Sequence, residues 1–372
     1  MLKIAAPIKI QSRPETGTMD LQILPLTERK PPIEDEASLV FGRTFTDRMF
    51  VMEYDTGRGW HSARIAPYAP FTLDPAALVL HYAQEIFEGL KAFRRPDGNI
   101  ALFRPRDNIA RFNRSARRLC MPPVDEDFFL DALKELIRLE ADWVPRSEGT
   151  SLYIRPTMIA TQPVLGVKPS DQYLCYIILS PVGPYYKGGF KPVRIWISDE
   201  YIRSAPGGTG EAKTGGNYAA SLLAAREAAE RGFDQVLWLD AVKRQYVEEV
   251  GSMNICFVYD DKIVTSPLHG TILDGITRRS ILTLAKEMGL EIEERAMSID
   301  EIMDGASNGR LSEAFGTGTA AVVSPVGQFT YRDRTVTLSN NQVGPLTMKF
   351  FEALTGIQYG RQPDPHDWVE LL

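Results

Sequence analysis

A lysine set among glycines is the first residue that chemistry could use. The run Gly207-Gly-Thr-Gly-Glu-Ala-Lys213-Thr-Gly-Gly-Asn-Tyr218 puts Lys213 on a tight loop backbone rather than on a helix face. Two readings compete with an ordinary solvated loop lysine. One is a nucleotide-phosphate loop, G-x-x-x-x-G-K-[ST], with Val236-Leu-Trp-Leu-Asp240 imitating the second nucleotide motif. Against it, Ala212 stands where the glycine before the lysine belongs, and 198–204 does not read as the buried strand from which such a loop hangs. The following helix is also predicted from Asn217, four residues past Lys213 rather than at it. The other reading is an imine-forming lysine, made nucleophilic when desolvation or a neighbouring cation lowers its pKa.

An imine-forming lysine needs an anion hole for a cofactor phosphate, a carboxylate for a pyridine nitrogen and a phenol near the imine. The second half of the chain holds a candidate for each. Thr271-Ile-Leu-Asp-Gly275-Ile276-Thr277-Arg278 runs a turn into a helix N-terminus, whose unpaired N–H groups and dipole favour a phosphate. Gly316-Thr-Gly-Thr319-Ala320 is a second small-residue turn. Glu249 ends an apolar strand beside Gly251-Ser252-Met-Asn254, and Tyr218 follows Lys213 by five residues. Each of these alone reads as a solvated turn or strand end. Their joint occurrence in one domain-sized segment singles them out.

The chain as a whole sets bounds on this chemistry. Its 372 residues carry 42 Lys+Arg against 48 Asp+Glu, a net charge of −6. That balance disfavours nucleic-acid and anionic-membrane partners, yet leaves room for one local anion pocket. The three cysteines, Cys120, Cys175 and Cys256, and the four histidines show neither ligand nor disulfide spacing, so no metal site is expected. No apolar run approaches the roughly 18 residues of a membrane span, and the start has too short an apolar run for a signal peptide. The expectation is a cytoplasmic protein with an N-terminal arm, and the basic residues before Glu15 leave an organelle-transit segment as the weaker alternative.

The elements that must position these residues follow from periodicity. Residues 1–37 are polar and proline-bearing and read as the arm. Strands are predicted over 45–54, 100–103, 151–160 and 173–182, and helices over 76–89, 107–118 and 124–143, giving a small α/β domain over 38–182. The stretch 183–192 holds three glycines and two prolines and reads as an interdomain loop. A larger domain over 193–372 opens on a strand at 193–197 and continues with strands at 236–239, 245–250, 255–259 and 262–265. Its helices are predicted over 217–231, from Asp274-Gly275 to Met288 with Gly289 closing it, and behind the capping box Ser298-x-x-Glu301. Mixed strands and helices in both halves point to two α/β or α+β domains.

Taken together, the chain resembles the branched-chain amino-acid aminotransferases, pyridoxal-phosphate enzymes of fold type IV, from Phe41 to the C-terminus. The resemblance is carried by Phe41-Gly-Arg-Thr-Phe-Thr-Asp47, His81-Tyr-Ala-Gln-Glu-Ile-Phe-Glu-Gly-Leu-Lys-Ala-Phe93 and Tyr153-Ile-Arg-Pro-Thr157. It continues through Leu165-Gly-Val167, Ser180-Pro-Val-Gly-Pro-Tyr185, the Lys213 loop, Glu249-Val-Gly-Ser-Met-Asn254, Gly275-Ile-Thr-Arg278 and Phe315-Gly-Thr-Gly-Thr-Ala320, in the family's order. It implies a two-domain α/β (α+β) architecture related to D-amino-acid aminotransferase, with pyridoxal 5′-phosphate between the domains. The implied reaction is reversible, ping-pong amino transfer between L-leucine, L-isoleucine or L-valine and 2-oxoglutarate.

The resemblance also implies roles. Lys213 would be the Schiff-base lysine and proton shuttle, Tyr218 the partner of the ring oxygen and Glu249 the partner of the pyridine nitrogen. Arg111 would pair with the phosphate, with the N–H groups of Ile276 and Thr277 and the hydroxyl of Thr319 completing the cup. Ser252 keeps a hydroxyl where some members have threonine. The amides near Thr319 and Ala320 would hold the α-carboxylate. Phe41, Tyr82, Phe87, Tyr153, Arg155 and Tyr185 match the substrate wall, although without the resemblance the aromatics among them read as ordinary core. Strand alternation puts Tyr153 and Arg155 on one face, where they could take the distal carboxylate of glutamate, and Leu152 and Ile154 on the other. Leu165 and Val167 sit in a loop that the family contributes to the partner subunit, which implies a homodimer. One departure is plain: Ala321 and Ser324 occupy the places of the redox cysteine pair of mammalian members, so no thiol switch is expected there. The alternatives are a D-amino-acid aminotransferase or aminodeoxychorismate-lyase-type relative, the nucleotide-binding ATPase, and a non-catalytic interaction protein.

Overall fold

Period-two alternation builds the first sheet. Phe50 and Met52, Leu90 and Ala92, Leu152 and Ile154, and Cys175, Ile177 and Leu179 are all buried in one apolar cluster, while the residues between them leave the opposite face. The computed structural model describes residues 19–183 and 190–372. The chain forms two compact units, Met1–Tyr185 with Asp364–Leu372, and Tyr186–Pro363.

The first unit contains β1 (Gln22–Ile23), β2 (Arg48–Asp55), β3 (Gly59–Pro67), β4 (Glu85–Phe87), β5 (Leu90–Arg94), β6 (Ile100–Phe103), β7 (Ser151–Ala160) and β8 (Gln172–Val182). Their order is β1-β3-β2-β8-β7-β5-β6, continued by the terminal strand Val369–Leu371, with β4 also on β7. All pairs are antiparallel except β1 on β3. Among the described residues three α-helices accompany them, α1 (Leu78–Tyr82), α2 (Pro105–Arg118) and α3 (Glu126–Leu139). Ile109, Phe112 and Ala116 of α2 and Phe129, Leu133 and Leu136 of α3 pack onto the apolar face of the sheet. Asp125 starts α3 by accepting the Phe128 N–H at 2.8 Å.

Three sequence expectations shift here. The helix predicted over 76–89 is only α1: Ala83 adopts a left-handed conformation (φ 50°), and from Glu85 the chain pairs with β7 instead. Buried Ile86, opposite Met158, supplies the reason, since a place in the sheet outweighs a local helical period. Of the arm over 1–37, residues 1–18 lie outside the described residues, and Gln22–Ile23 is an edge strand. The last residues, expected in the second domain, belong to the first unit, because Val369–Leu371 pairs with β6. Residues 184–189 of the expected interdomain loop lie outside the described residues.

The second unit contains β9 (Val193–Ser198), β10 (Gln235–Leu239), β11 (Val247–Val250), β12 (Met253–Tyr259), β13 (Lys262–Thr265), β14 (Ile292–Glu294), β15 (Leu311–Gly318), β16 (Val322–Tyr331) and β17 (Arg334–Thr337). The order is β11-β10-β9-β16-β15-β12-β13-β14, with β17 on β16, and β11 also pairs with β12. That last pairing closes β11, β10, β9, β16, β15 and β12 into a ring. Ile195, Leu237, Ile255, Phe257, Ala314 and Phe329 belong to its core. The helices are α4 (Gly215–Ala219), α5 (Leu222–Glu230), α6 (Ile276–Glu287), α7 (Ile299–Asn308) and α8 (Pro345–Gln358). The single helix predicted over 217–231 is therefore two, starting at Gly215. α5 packs on Trp196, Val236 and Trp238, and α6 and α8 pack on β15. No helix among the described residues is long and apolar enough to cross a membrane.

The Phe129 ring stacks on Phe112, 5.8 Å between centroids, and meets Phe50 edge-on at the same distance. Truncating it removes contacts on both sheet and helix. Phe129→Ala is expected to destabilise the first unit by roughly 3–5 kcal/mol, read as a lowered unfolding midpoint in urea.

Candidate active site

The glycine-rich loop holds its lysine by a short side-chain contact. Lys213 Nζ donates to the Tyr218 hydroxyl at 2.6 Å, and both side chains are partly buried. The loop itself is fixed by Asn217, whose Nδ2 donates to the carbonyls of Thr209 and Ala212 at 2.8 and 2.9 Å. β9 ends at Ser198, well before this loop, and the helix opens two residues past Lys213 at Gly215, so the strand–loop–helix junction of a nucleotide-phosphate loop is not formed.

Glu249 is assembled by strand register. It pairs with Asn254 across β11 and β12, and Asn254 pairs with Thr317 across β12 and β15. Opposed residues share a face, so the three line one row on the outside of the ring. Asn254 Nδ2 donates to Glu249 Oε1 at 3.0 Å and to the Leu273 carbonyl at 2.8 Å, which ties the carboxylate to the turn before α6. Gly275 lets this turn close: a Cβ there would overlap Asn254 Oδ1. Arg203 NH1 lies 2.6 Å from Glu249 Oε2 and donates to the Thr271 carbonyl at 3.1 Å. Glu249 is 2% exposed. Burial pushes its carboxyl up to about 7, against the opposing pull of Arg203, and the Lys213 charge acts in the same direction as Arg203.

Three buried features of this unit bear on what it could hold. Glu249 Oε2 has no hydrogen-bond donor among the described residues, because the Arg203 approach is an ion pair without hydrogen-bond alignment. Thr317 Oγ1, in the same row, is likewise buried with no partner among them. The start of α6 has Gly275 as its N-cap and no side-chain cap, while Asp274 pairs with Arg279 instead. Its first N–H groups, those of buried Ile276 and Thr277, therefore have no partner within the helix. An uncapped helix start suits a phosphate, and a carboxylate oxygen lacking a donor suits a protonated ring nitrogen. The residues fit pyridoxal phosphate. Thr319 and Ala320 are partly buried after β15, and Ser252 is exposed in the turn between β11 and β12.

The remaining candidates lie in the first unit. Arg111 of α2 is buried and gripped by Glu88, with Nε to Oε1 at 2.7 Å and NH2 to Oε2 at 2.9 Å. Phe41 meets Tyr153 edge-on at 4.7 Å. Arg155 NH2 donates to the Tyr153 hydroxyl at 3.1 Å, and its guanidinium lies 4.7 Å above the Phe87 ring. The Tyr82 hydroxyl donates to the Leu165 carbonyl. Leu165 and Val167 are exposed. Tyr185 lies outside the described residues.

Sequence reasoning missed Arg203 and the part played by Glu88; Thr317 stood in the small-residue run 316–320, but its place in the row of Glu249 comes only from the strand register. Arg203 sits in a segment with neither helical nor strand period, so only its partner reveals it. Glu88 stood in a quoted motif, but nothing in a linear sequence paired it with Arg111 of the next helix.

Comparison with known proteins shows the family. Residues 85–329 match the family model for amino-transferase class IV. The chain is 55% identical over 336 residues to branched-chain-amino-acid transaminase 1 of Bacillus subtilis (strain 168), covering 90% of this chain and 94% of that protein. Among solved structures, it superposes on the branched-chain aminotransferase of Thermoproteus uzoniensis with norvaline at a TM-score of 0.72 and 27% identity, covering 87% of this chain and 99% of that one. The T.th. branched-chain amino acid aminotransferase complexed with N-(5′-phosphopyridoxyl)-L-glutamate follows at 0.69 and 28%, with coverages of 86% and 97%. A lysine loop, a buried carboxylate and an uncapped helix start, carried on a chain so similar to these enzymes along most of its length, identify it as a member of the class IV aminotransferase family, within the branched-chain amino-acid aminotransferases.

Proposed function

We propose that the chain uses pyridoxal 5′-phosphate to move the amino group of L-leucine, L-isoleucine or L-valine reversibly to 2-oxoglutarate, in a ping-pong sequence. One observation carries this reading: Lys213, hydrogen-bonded to Tyr218, lies within electrostatic reach of a buried Glu249 whose Oε2 has no hydrogen-bond donor among the described residues. When bound, pyridoxal phosphate supplies a carbonyl for the amino group and a ring that accepts electrons from the substrate's α-carbon.

The chain's own residues do the rest. Lys213 Nζ is the covalent anchor and the base that moves the α-proton. The Tyr218 hydroxyl orients that amine and meets the ring oxygen. Glu249 Oε2 holds a proton on the ring nitrogen, with Arg203 and Asn254 fixing the carboxylate. The N–H groups of Ile276 and Thr277, the Thr319 hydroxyl and Arg111 hold the phosphate, and Ser252 adds a hydroxyl. The amides near Thr319 and Ala320 hold the substrate's α-carboxylate. Phe41, Tyr82, Phe87, Tyr153 and Tyr185 offer an apolar wall to leucine, and Arg155 with the Tyr153 hydroxyl receives the distal carboxylate of glutamate. The two solved relatives, one with norvaline and one with a glutamate derivative, support this double use. Leu165 and Val167, 62% and 84% exposed, support a homodimer in which a second copy covers them.

Two measurements test these assignments. Lys213→Ala is expected to lower leucine turnover at least about a thousand-fold and to remove the visible absorbance of the purified protein, which in the wild type bleaches on adding L-leucine. Leucine turnover at the normal rate in this variant would refute the assignment. The second measurement concerns pH. Burial raises the Glu249 carboxyl to about 7, so the group keeps its proton below neutrality and is a carboxylate above it. A protonated ring nitrogen needs the carboxylate, so affinity for pyridoxal phosphate is expected to strengthen as the pH rises through neutrality. Fluorescence titrations on either side of pH 7 measure this. Glu249→Gln should abolish the rise and slow leucine turnover about a hundred-fold, whereas Arg203→Met should move the rise to higher pH.

A further inference from the structure

On the face of the first sheet opposite its core, β5 and β7 run antiparallel with Lys91 directly across from Tyr153. Directly opposed residues share a face, and along β7 Arg155 returns to the face of Tyr153. Leu90 and Ala92, the neighbours of Lys91, enter the apolar core on the other side. Lys91, Tyr153 and Arg155 therefore leave the sheet together.

The patch around them is shaped. The Tyr153 hydroxyl hangs over Gly89, where a Cβ would overlap it, so the glycine two residues before Lys91 provides a notch for the phenol. That hydroxyl accepts from Arg155 NH2 at 3.1 Å. The Arg155 guanidinium lies over the rings of Phe87 and Tyr153, and its Nε is buried with no hydrogen-bond partner among the described residues. Lys91 is partly buried, and removal from water pushes its amine down to about 8. An anion meets a stronger attraction from a cation so placed than from a solvated lysine.

We propose that Lys91 is a specificity-determining residue for the dicarboxylate substrate: its ammonium joins Arg155 and the Tyr153 hydroxyl in receiving the distal carboxylate of glutamate and 2-oxoglutarate. This rests on the 2-oxoglutarate reaction proposed above. A carboxylate has two oxygens and about four acceptor sites, enough for a guanidinium, an ammonium and a phenol together. The side chains of leucine, isoleucine and valine have nothing to offer the ammonium, so Lys91 separates the two substrate classes.

Steady-state kinetics of the holoenzyme with L-leucine and 2-oxoglutarate, comparing wild type, Lys91→Met and Lys91→Arg, test this. Losing one partly solvated, charge-assisted bond is expected to raise the KM for 2-oxoglutarate about tenfold in Lys91→Met. The KM for leucine should stay within about twofold, and Lys91→Arg should recover most of the 2-oxoglutarate affinity. Absorbance-monitored half-reactions provide a second readout: the change driven by glutamate weakens in Lys91→Met and the change driven by leucine does not. Lys91→Gln gives the same comparison should Lys91→Met not fold. Equal losses toward both substrates, or no loss toward either, overturn the role of Lys91. A wild-type enzyme that does not accept 2-oxoglutarate overturns the underlying reading as well, whereas acceptance by the wild type with an unaffected Lys91→Met overturns the role of Lys91 alone.

Discussion

A carboxylate taken out of water is the constraint around which the second unit is arranged. Ionised Glu249 is unfavourable in its buried position, and its environment is built to limit that cost. Arg203 brings a full charge to Oε2, Asn254 brings an N–H to Oε1, and the carbonyls of Thr271 and Leu273 hold those two partners in place. Both anchoring carbonyls belong to the segment that leads into α6. The carboxylate and the segment leading into the uncapped helix start are therefore parts of one hydrogen-bonded assembly. The compensation is partial, which is why the carboxyl sits near 7 rather than at the ordinary range of a glutamate.

The first unit solves a different problem with a two-faced sheet. One face is apolar and covered by α2 and α3; the other carries Lys91, Tyr153 and Arg155. Polar side chains survive there because each is propped by a neighbour of suitable shape: the guanidinium spreads over aromatic rings, and the phenol settles above a glycine. The same principle governs Arg111, whose buried charge in α2 is met by Glu88 with two parallel bonds.

Much of this is legible in the linear chain. Local chemistry announces itself: the Lys213 loop, the glycine before α6, the capping box at Ser298 and the alternation of β7 all rest on neighbours in sequence. The mixed α/β class follows from the same patterns, and the family motifs narrow it to the class IV aminotransferases. Long-range partnership is not legible. No period links Arg203 to Glu249 or Glu88 to Arg111, and the row Glu249, Asn254, Thr317 exists only because three strands adopt one register. The misread helix over 76–89 has the same origin. Its spacing is compatible with a helix, and only the presence of β7, far along the chain, makes the extended form of Glu85–Phe87 the better one.

The placement of Val369–Leu371 bears on how the protein is made. The first unit is discontinuous: the whole of Tyr186–Pro363 is inserted between most of its residues and the strand that covers β6. During synthesis, β6 must therefore wait with an unpaired edge while the second unit emerges. Such an edge invites wrong partners. The four-residue length of β6 and the three-residue length of its late partner keep that exposed template short. The opposite edge of the sheet, where β1 is two residues long, is blunted in the same manner.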